Sequence, residues 1–288
     1  MGGTINVKGR LMAFDKPLVM GILNITPDSF YAASRKSADN LLATARGMLA
    51  AGAAILDVGA CSTRPAGEPV PQEEELRRLH AALDILDDGL PADTVISIDT
   101  YRSRVVKECF SRHNVSIIND VSGFEWDADM FSVVASLNVP YILTHSVGWA
   151  GNTVDYASFL PDIIKSLSYK VWQLHQAGVK DVIIDPGFGF GKSVEQNYQM
   201  LAALPLFKQL ELPVLAGISR KSMITKVLDN TPADALAGTV ALNMVALQNG
   251  VDILRVHDVK EAAEVVKLYV KLREASAVVG KKDNAYIY

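Results

Sequence analysis

Residues 181–192, Asp-Val-Ile-Ile-Asp-Pro-Gly-Phe-Gly-Phe-Gly-Lys, join an apolar run of strand type to a glycine-rich turn, and a segment of helical periodicity, Glu195–Leu210, follows them. Apolar residues that are continuous rather than alternating suit a parallel strand that is buried on both faces. The stretch therefore predicts a unit of strand, loop and helix, with a carboxylate, Asp185, at the end of the strand.

The same unit recurs along the chain at intervals of roughly 30 to 40 residues, the length of one βα unit. The eight predicted strands are Pro17–Ile25, Ala54–Gly59, Thr94–Asp99, Val115–Asp120, Val139–His145, Asp181–Asp185, Pro213–Ser219 and Val251–His257. The predicted helices include Ala38–Ala51, Gln72–Asp88, Tyr101–Arg112, Phe159–Ala177, Glu195–Leu210, Pro232–Gln248 and Lys260–Arg273. Gly52, Gly178 and Gly250 stand where a helix must end, since glycine tolerates the left-handed conformation of that position.

Eight strands that alternate with helices, without a linker or a break in composition, predict an α/β protein built as a single (β/α)8 TIM barrel. An open, doubly wound sheet is the alternative architecture. We expect one domain over residues 1–288, with the barrel at 17–273. Residues 1–16 and those from about 275 lie outside the alternation, so we expect an N-terminal extension and a loose C-terminal tail.

Composition narrows the class of protein. The chain has 288 residues, 49% of them hydrophobic and 21% charged, which is enough to bury a large core. Lys and Arg number 28 against 32 Asp and Glu, a formal charge of −4 without a basic stripe, so nucleic acid is not an expected partner. Two cysteines are too few for a disulfide framework, and no signal peptide or apolar span is visible, so we expect a cytoplasmic protein without a membrane partner.

Polar residues stand at or just beyond the end of each predicted strand. In a (β/α)8 barrel these carboxyl ends converge on the C-terminal mouth, where such enzymes place their chemistry. For any single position the alternative is a turn or a helix N-cap, which Asn and Asp also favour. The residues concerned are Asn24, Ser62, Asp99, Asn119, Asp120, His145, Asp185, Ser219, Arg255 and His257. Because all eight strands share the pattern, we expect a site at the mouth.

Asp185 lies in an apolar run, and a carboxylate buried there requires a partner. A flat heterocycle with adjacent amino and ring N–H groups offers two parallel donors, as a guanidinium does, and a salt bridge to a barrel lysine or arginine is the alternative.

The glycine-rich turn after Asp185 is not a P-loop, because Pro186 occupies the place of the first glycine. It is not a dinucleotide fingerprint either, because Lys192 occupies the place of the third glycine. We expect this turn to lie against the ligand.

The last two predicted strands lead to cationic segments, Ser219-Arg-Lys-Ser222 and Arg255-Val-His257, where barrels commonly bind phosphate. Alternation along the strand sends Arg255 and His257 to the same face, as a shared anion requires, whereas solvated surface charge is the alternative. No HxH or HExxH spacing occurs. Any metal is therefore expected to be a hard ion such as Mg2+, bound through few protein oxygens and the phosphates of the ligand.

Seven motifs stand in order along the chain. They are Gly21-Ile-Leu-Asn-Ile-Thr-Pro-Asp-Ser-Phe30, Ser62-Thr-Arg-Pro65, Ser97-Ile-Asp-Thr100, Asn119-Asp-Val-Ser-Gly123, Asp185-Pro-Gly-Phe-Gly-Phe-Gly-Lys192, Ser219-Arg-Lys-Ser222 and Arg255-Val-His-Asp258. Together they resemble the dihydropteroate synthase family of pterin-binding barrels, over about residues 17–273. The resemblance implies condensation of 6-hydroxymethyl-7,8-dihydropterin pyrophosphate with 4-aminobenzoate to 7,8-dihydropteroate and pyrophosphate, with Mg2+ as cofactor and a homodimer as the assembly.

For the pterin, the resemblance implies four contacts. Asp185 would bind the amino and ring N–H edge with help from Asn119, Lys221 would contact the opposite polar edge, and Asp99 would face the ring. The arylamine is a poor nucleophile and magnesium pyrophosphate a good leaving group, so C–O cleavage is expected to precede attack, with Asp99 stabilising the pterin cation.

For the pyrophosphate, the resemblance implies Asn24, acting through Mg2+, together with Arg255 and His257. Asp99, Lys221, Arg255 and His257 are the expected catalytic residues. Thr63 and Arg64 would lie on a loop that closes over the site with the loop around residues 26–37, and Phe190 and Ser222 would flank the aminobenzoate. Closed loops would exclude the water that competes for the cation.

Three segments depart from the usual family pattern. Tyr31-Ala-Ala-Ser34 stands where Ser-Asp-Gly-Gly is typical, Cys61 replaces a glutamate, and Thr144-His-Ser146 replaces Met-His-Met. Two alternatives to the family reaction are another pterin-handling barrel, such as a corrinoid-linked methyltransferase, and a catalytically silent paralogue that binds pterin. The first should lack the anion site of the last two strands, which this chain has.

Overall fold

The computed structural model describes residues 3–25, 35–61, 70–146 and 158–283. The strands in these ranges are β1 Thr4–Val7, β2 Arg10–Ala13, β3 Leu18–Asn24, β4 Ile55–Gly59, β5 Ile96–Asp99, β6 Ile117–Asp120, β7 Tyr141–Thr144, β8 Val182–Asp185, β9 Leu215–Ala216 and β10 Ile253–Val256. The α-helices are α1 Arg35–Ala51, α2 Gln72–Gly89, α3 Ser103–Arg112, α4 Met130–Leu137, α5 Phe159–Gln176, α6 Val194–Ala202, α7 Leu204–Phe207, α8 Ser222–Thr225, α9 Leu236–Gln248 and α10 Val259–Asp283. Two 3-10 turns, Lys208–Leu210 and Pro232–Asp234, complete the set.

Strands β3 to β10 form one parallel sheet in the order β8-β7-β6-β5-β4-β3-β10-β9. The sheet closes on itself because Ile184 of β8 bridges Val214 in parallel, and the N–H of Ile184 donates to the carbonyl oxygen of Pro213 at 2.9 Å. The eight predicted barrel strands and the (β/α)8 fold are confirmed, and the open-sheet alternative is wrong. Among the described helices, none combines the length and the apolar character that crossing a membrane requires.

Some predicted boundaries are wrong for identifiable reasons. The predicted helix Glu195–Leu210 is broken after α6, because Pro205 has no N–H with which to continue the hydrogen bonding and lies instead in the first turn of the short helix α7. Likewise Pro232 heads a 3-10 turn, and α9 begins only at Leu236. The helix predicted from Tyr101 begins at Ser103, whose N–H donates to the carboxylate of Asp127 at 2.7 Å.

Both chain ends are more ordered than the sequence predicts. Strands β1 and β2 form an antiparallel hairpin, and its apolar side chains Ile5, Val7 and Phe14 are buried against the inner bottom layer of the barrel. The hairpin therefore closes the end of the barrel opposite the mouth. The expected loose tail is also wrong as far as residue 283, because α10 continues to Asp283.

The barrel interior changes from apolar to polar along four of the strands. Side chains two residues apart lie on the same face of a strand, so an inner isoleucine is followed by an inner polar residue nearer the mouth. The four pairs are Ile55 and Asp57, Ile117 and Asn119, Ile183 and Asp185, and Ile253 and Arg255. This register places the polar side chains together on an apolar floor.

Candidate active site at the barrel mouth

Arg255 is the centre of a buried network at the mouth. Its Nε donates to Oδ2 of Asp57 at 2.6 Å, and its Nη2 donates to Oδ2 of Asp99 at 2.5 Å. Nδ2 of Asn119 donates to the same Asp57 oxygen at 3.0 Å. Two predicted site residues, Arg255 and Asp99, are thus in direct contact, and Asn119 reaches them through Asp57, which the sequence analysis did not select.

The carboxylate of Asp99 is poised to change its charge near neutrality. Burial raises its pKa to about 7, and the negative charge of Asp57 acts in the same direction, although the guanidinium of Arg255 opposes them. The two carboxylates raise the pKa of Arg255 above its usual value and outweigh the effect of its burial, so it stays a cation. A carboxyl group with a pKa near 7 is typical of a functional site.

Asp185 is 5% exposed, and its Oδ1 accepts a hydrogen bond from the backbone N–H of Gly187 at 2.8 Å. Burial raises its pKa, while the nearby charge of Lys221 has the opposite effect. Within the described ranges Asp185 forms no direct ion pair, so the predicted alternative of a salt bridge to a barrel lysine or arginine is wrong there. The carboxylate therefore keeps acceptor capacity for a ligand.

Lys221 and Phe190 lie together beside Asp185. The ammonium of Lys221 donates to the carbonyl oxygen of Phe188 and lies 4.8 Å from the centre of the Phe190 ring. Burial lowers the pKa of Lys221 to about 8, although the charge of Asp185 opposes this change. The predicted pterin and aminobenzoate contacts are therefore adjacent.

The loop of residues 186–191, here named the glycine loop, has a backbone that only glycine permits at one position. Gly187 has φ +76°, and a Cβ built there would lie 2.0 Å from the carbonyl oxygen of His145. On the other side, Oδ1 of Asn197 accepts from the N–H of Gly189 at 2.7 Å. The loop is consequently packed between the end of β7 and helix α6.

The cationic segments differ in their contacts within the protein. Nδ1 of His257 lies 3.0 Å from Oγ of Ser219, so the serine orients the imidazole. Arg220, in contrast, donates through Nε and Nη2 to both carboxylate oxygens of Asp258, at 2.8 and 2.7 Å. The guanidinium of Arg220 thus holds the loop after β9 to the end of β10.

Two further predicted residues lie at the rim of the mouth. Asn24 ends β3 with its side chain exposed, and Ser222 is exposed at the first position of α8. Thr63, Arg64 and the atypical segment from Tyr31 to Ser34 fall outside the described residues.

Over the described ranges, no three His, Cys, Asp or Glu side chains are grouped as metal ligands.

Some strand-end residues serve the fold instead of the site. Asp120 accepts hydrogen bonds from the hydroxyls of Ser122 and Tyr141, at 2.7 Å each, and from the N–H of Phe124 at 2.7 Å. Asp120 thus has the turn-forming role that the sequence allows as the alternative to a place in the site. Burial and the neighbouring lysines lower the pKa of His145 to about 3, which keeps its imidazole neutral.

The sequence analysis missed two residues at this site. Asp57 lies two positions before the end of β4, and the alternation that places Arg255 and His257 on one face would also have placed Asp57 inside the barrel. In the sequence, Lys192 shows only that the dinucleotide fingerprint is absent. In the structure its ammonium is buried under the glycine loop. A lysine after three closely spaced glycines carried no separate signal.

Comparison with known proteins gives one consistent family. The family described as "Pterin binding enzyme" matches residues 20–257. The dihydropteroate synthase of Bacillus subtilis is 40% identical over 268 residues, 92% of each chain. Among solved structures, the Xanthomonas albilineans dihydropteroate synthase with 4-aminobenzoic acid has a TM-score of 0.84 and 34% identity, covering 95% of this chain and 99% of that one. The Coxiella burnetii dihydropteroate synthase in complex with pteroic acid has a TM-score of 0.83 and 34% identity, covering 94% and 99%.

Proposed function

The chain belongs to the dihydropteroate synthase family of pterin-binding enzymes, and from this membership we propose that its barrel mouth binds the two substrates of the dihydropteroate synthase reaction. The chain is a transferase of folate biosynthesis that condenses 6-hydroxymethyl-7,8-dihydropterin pyrophosphate with 4-aminobenzoate. The products are 7,8-dihydropteroate and pyrophosphate. The alternative pterin-handling barrel is not supported, because the relatives that match over almost the whole chain are dihydropteroate synthases.

The observation that carries the residue assignments is the buried carboxylate of Asp185. One of its oxygens is occupied by the N–H of Gly187, and no cation pairs with it in the described part of the chain. The amino and ring N–H groups of a pterin would supply two parallel donors, and they would remove the cost of leaving this carboxylate unpaired. Asn119, which is tied to Asp57, would complete the edge of the pterin site.

The reaction begins with cleavage of the bond between the pterin methylene carbon and the pyrophosphate oxygen, which takes the electron pair. Asp99, ionised beside Arg255, would stabilise the cation that remains on the pterin. The nitrogen of 4-aminobenzoate then donates its lone pair to the methylene carbon and loses a proton. Lys221, with its lowered pKa, would hold the pterin's opposite polar edge throughout.

Arg255 and His257 would bind the pyrophosphate, with the imidazole oriented by Ser219. The exposed amide oxygen of Asn24 at the rim is a hard donor, and a site with few protein oxygens suits an ion bound mainly by phosphates, so the residues present fit Mg2+. Asn24 would help to hold the ion, whose charge would offset that of the leaving pyrophosphate.

Phe190 and Ser222 would flank the aminobenzoate, since both lie on segments that border Lys221. Thr63 and Arg64 would close over the substrates from the loop after β4. The Xanthomonas relative contains 4-aminobenzoic acid, which supports the choice of arylamine.

We also propose a homodimer and a cytoplasmic location, both on the resemblance to the family. Exposed apolar side chains on α10, Leu268 at 64% and Leu272 at 48%, would be covered by a second copy. Sedimentation equilibrium that gives the mass of one chain at micromolar concentration would contradict the dimer.

Pyrophosphate release, measured with and without 4-aminobenzoate, tests the function. We expect release that depends on the arylamine and is lost in Arg255→Ala, whereas Arg10→Ala, at an exposed arginine of the hairpin, retains wild-type release. A wild-type protein that binds pterin but releases no pyrophosphate would be the silent paralogue and would contradict the proposal.

A further inference from the structure

Lys192 has its ammonium beneath the glycine loop, where it contacts three backbone carbonyl oxygens. Nζ donates to Gly187 at 2.7 Å, to His145 at 3.0 Å and to Phe190 at 3.4 Å. Two of these oxygens belong to opposite ends of the glycine loop, and the third belongs to the residue after β7. A single side chain therefore ties both ends of the loop to the barrel wall.

The chemistry of the contact selects an ammonium group. It has three N–H donors and no acceptor, and three carbonyl oxygens converge on it, so each donor has a partner. The residue is 8% exposed, and burial lowers its pKa to about 7, although the charge of Asp185 opposes this. A charge in such surroundings is costly, and a neutral apolar side chain would leave the three carbonyl oxygens without these donors.

The glycine loop in turn carries contacts to the substrate residues. Its Gly187 N–H binds Asp185, its Phe188 carbonyl accepts from Lys221, and its Phe190 ring lies beneath the Lys221 ammonium. Asn197 fixes the outer side of the loop through the N–H of Gly189. Displacement of the loop would therefore move the Phe190 ring together with the Phe188 carbonyl oxygen that binds Lys221.

We propose that Lys192 is a positioning residue for the arylamine half of the reaction, acting by locking the glycine loop so that Phe190 and Lys221 face the substrates. This rests on the proposed function and adds a residue to it. Lys192 acts through the loop and not on the reacting atoms, since its three donors are all used by backbone oxygens. Asp185 and Asn119 lie on strands, so pterin binding should depend less on Lys192 than arylamine binding does.

The variant Lys192→Met retains the apolar stem and removes the three donors. We expect KM for 4-aminobenzoate to rise by about tenfold or more, because Phe190 would no longer be held against the arylamine. Pterin affinity, measured by calorimetry, should change by less than about threefold. Lys180→Met is the matched control, because Lys180 is exposed before β8, and its KM should equal that of the wild type.

Hydrogen exchange provides a measurement that needs no turnover. In the wild type, the amides of Gly187, Gly189 and Lys192 are hydrogen-bonded. We expect peptides covering residues 186–192 to exchange faster by about tenfold or more in Lys192→Met, and the β-strand peptides to keep their protection. If the wild type shows no synthase activity, the proposed function fails while the loop measurement still stands.

A double-mutant cycle with Phe190→Ala separates action through the loop from an independent effect. In the Phe190→Ala background, Lys192→Met should raise KM for 4-aminobenzoate much less than it does alone. Additive effects of the two substitutions on KM would overturn the proposal. So would a Lys192→Met protein with an unchanged KM and wild-type hydrogen exchange in the glycine loop, even if its melting temperature were lower. Should Lys192→Met fail to fold, Lys192→Gln, which keeps two N–H donors, is measured in the same way, with a smaller rise expected.

Discussion

Nε of Arg255 lies 2.6 Å from Oδ2 of Asp57, and the two residues join β10 to β4 inside the barrel although 198 positions separate them in the chain. The same Asp57 oxygen accepts from Asn119, while Asp99 binds the other side of the guanidinium. Asp57 has no exposed surface and cannot meet a ligand in this arrangement. Its role is to fix the direction of the two side chains proposed to bind pyrophosphate and pterin.

Asp57→Asn should therefore weaken both the fold and the reaction. The change removes one of the two carboxylates that compensate the buried Arg255, and it leaves only a neutral amide oxygen as the acceptor that Arg255 and Asn119 share. We expect a loss of about 2–4 kcal/mol in the free energy of unfolding, below the full cost of breaking an isolated buried pair because Asp99 remains. Urea denaturation measures the loss, and kcat/KM for the pterin pyrophosphate should fall with it.

An exposed ion pair provides the control for Asp57. Arg10 and Asp93 are paired at 3.2 Å with side chains 72% and 63% exposed, so Asp93→Asn should change the free energy of unfolding by less than about 1 kcal/mol. Equal losses in the two variants would show that Asp57 contributes no more than a surface charge.

Asp99→Asn should gain stability relative to the wild type as the pH rises. Burial raises the folded-state pKa of Asp99 to about 7, above the ordinary 3.8, so its contribution to stability is full below pH 4 and is lost as the pH rises through 7. Asparagine has no such loss. We expect the difference in free energy of unfolding between variant and wild type to increase by about 3 kcal/mol from pH 5 to pH 8.

Other groups titrate in this pH range, but they are present in both proteins. Lys192, with a pKa lowered to about 7, affects variant and wild type alike to first order. The pKa of Lys221, lowered to about 8 by burial, is raised by the charge of Asp99 in the wild type only, so Lys221 adds a smaller difference of its own. The same difference measured for Asp93→Asn should be flat over this range. A flat difference for Asp99→Asn as well would mean that Arg255 keeps Asp99 ionised at pH 5.

The barrel and most of the proposed site positions follow from local patterns. Continuous apolar runs locate all eight strands, and the polar residue two positions after an inner isoleucine, as in Ile183 and Asp185, locates the site side chains. The hairpin between β1 and β2 has a weaker sequence signal, since both Lys8 and Gly9 of its turn have positive φ but only the glycine is a residue type that indicates it. It was missed because each strand has only four residues.

Other features depend on contacts that no local pattern encodes. Alternation gives the face of Asp57 but not its partner Arg255, which arrives from the last strand of the barrel. Lys192 resembles any surface lysine until the carbonyls of His145 and Gly187 converge on it. The turn around Asp120 likewise shares its composition with the proposed site residues, and it is distinguished by the hydrogen bonds that Asp120 accepts from Ser122, Phe124 and Tyr141.

Gly187→Ala should disable the glycine loop far more than an equivalent change elsewhere. Gly187 and Gly178 have similar positive φ angles, +76° and +90°, but a Cβ at Gly187 would lie 2.0 Å from a backbone oxygen of His145, whereas nothing lies within 4 Å at Gly178. Gly178→Ala should cost about 1–2 kcal/mol of stability from the backbone conformation alone. Gly187→Ala should cost more, and because the N–H of Gly187 binds the carboxylate of Asp185 it should also weaken pterin binding, which calorimetry and urea denaturation check.

Asp185→Asn should separate binding from stability. The amide offers one acceptor instead of two and presents an N–H to the donors of the pterin, so we expect pterin binding to weaken by roughly 2–4 kcal/mol. Burial raises the pKa of Asp185, which means that its ionised form is costly in the folded protein and that stability is lost as the pH rises through the raised pKa. The variant should therefore be at least as stable as the wild type at pH 8. Asp181→Asn, beside the other end of the same strand, keeps the oxygen that accepts from Asn6 and should bind pterin normally. Near-normal pterin affinity in Asp185→Asn, measured by calorimetry, would remove Asp185 from the site.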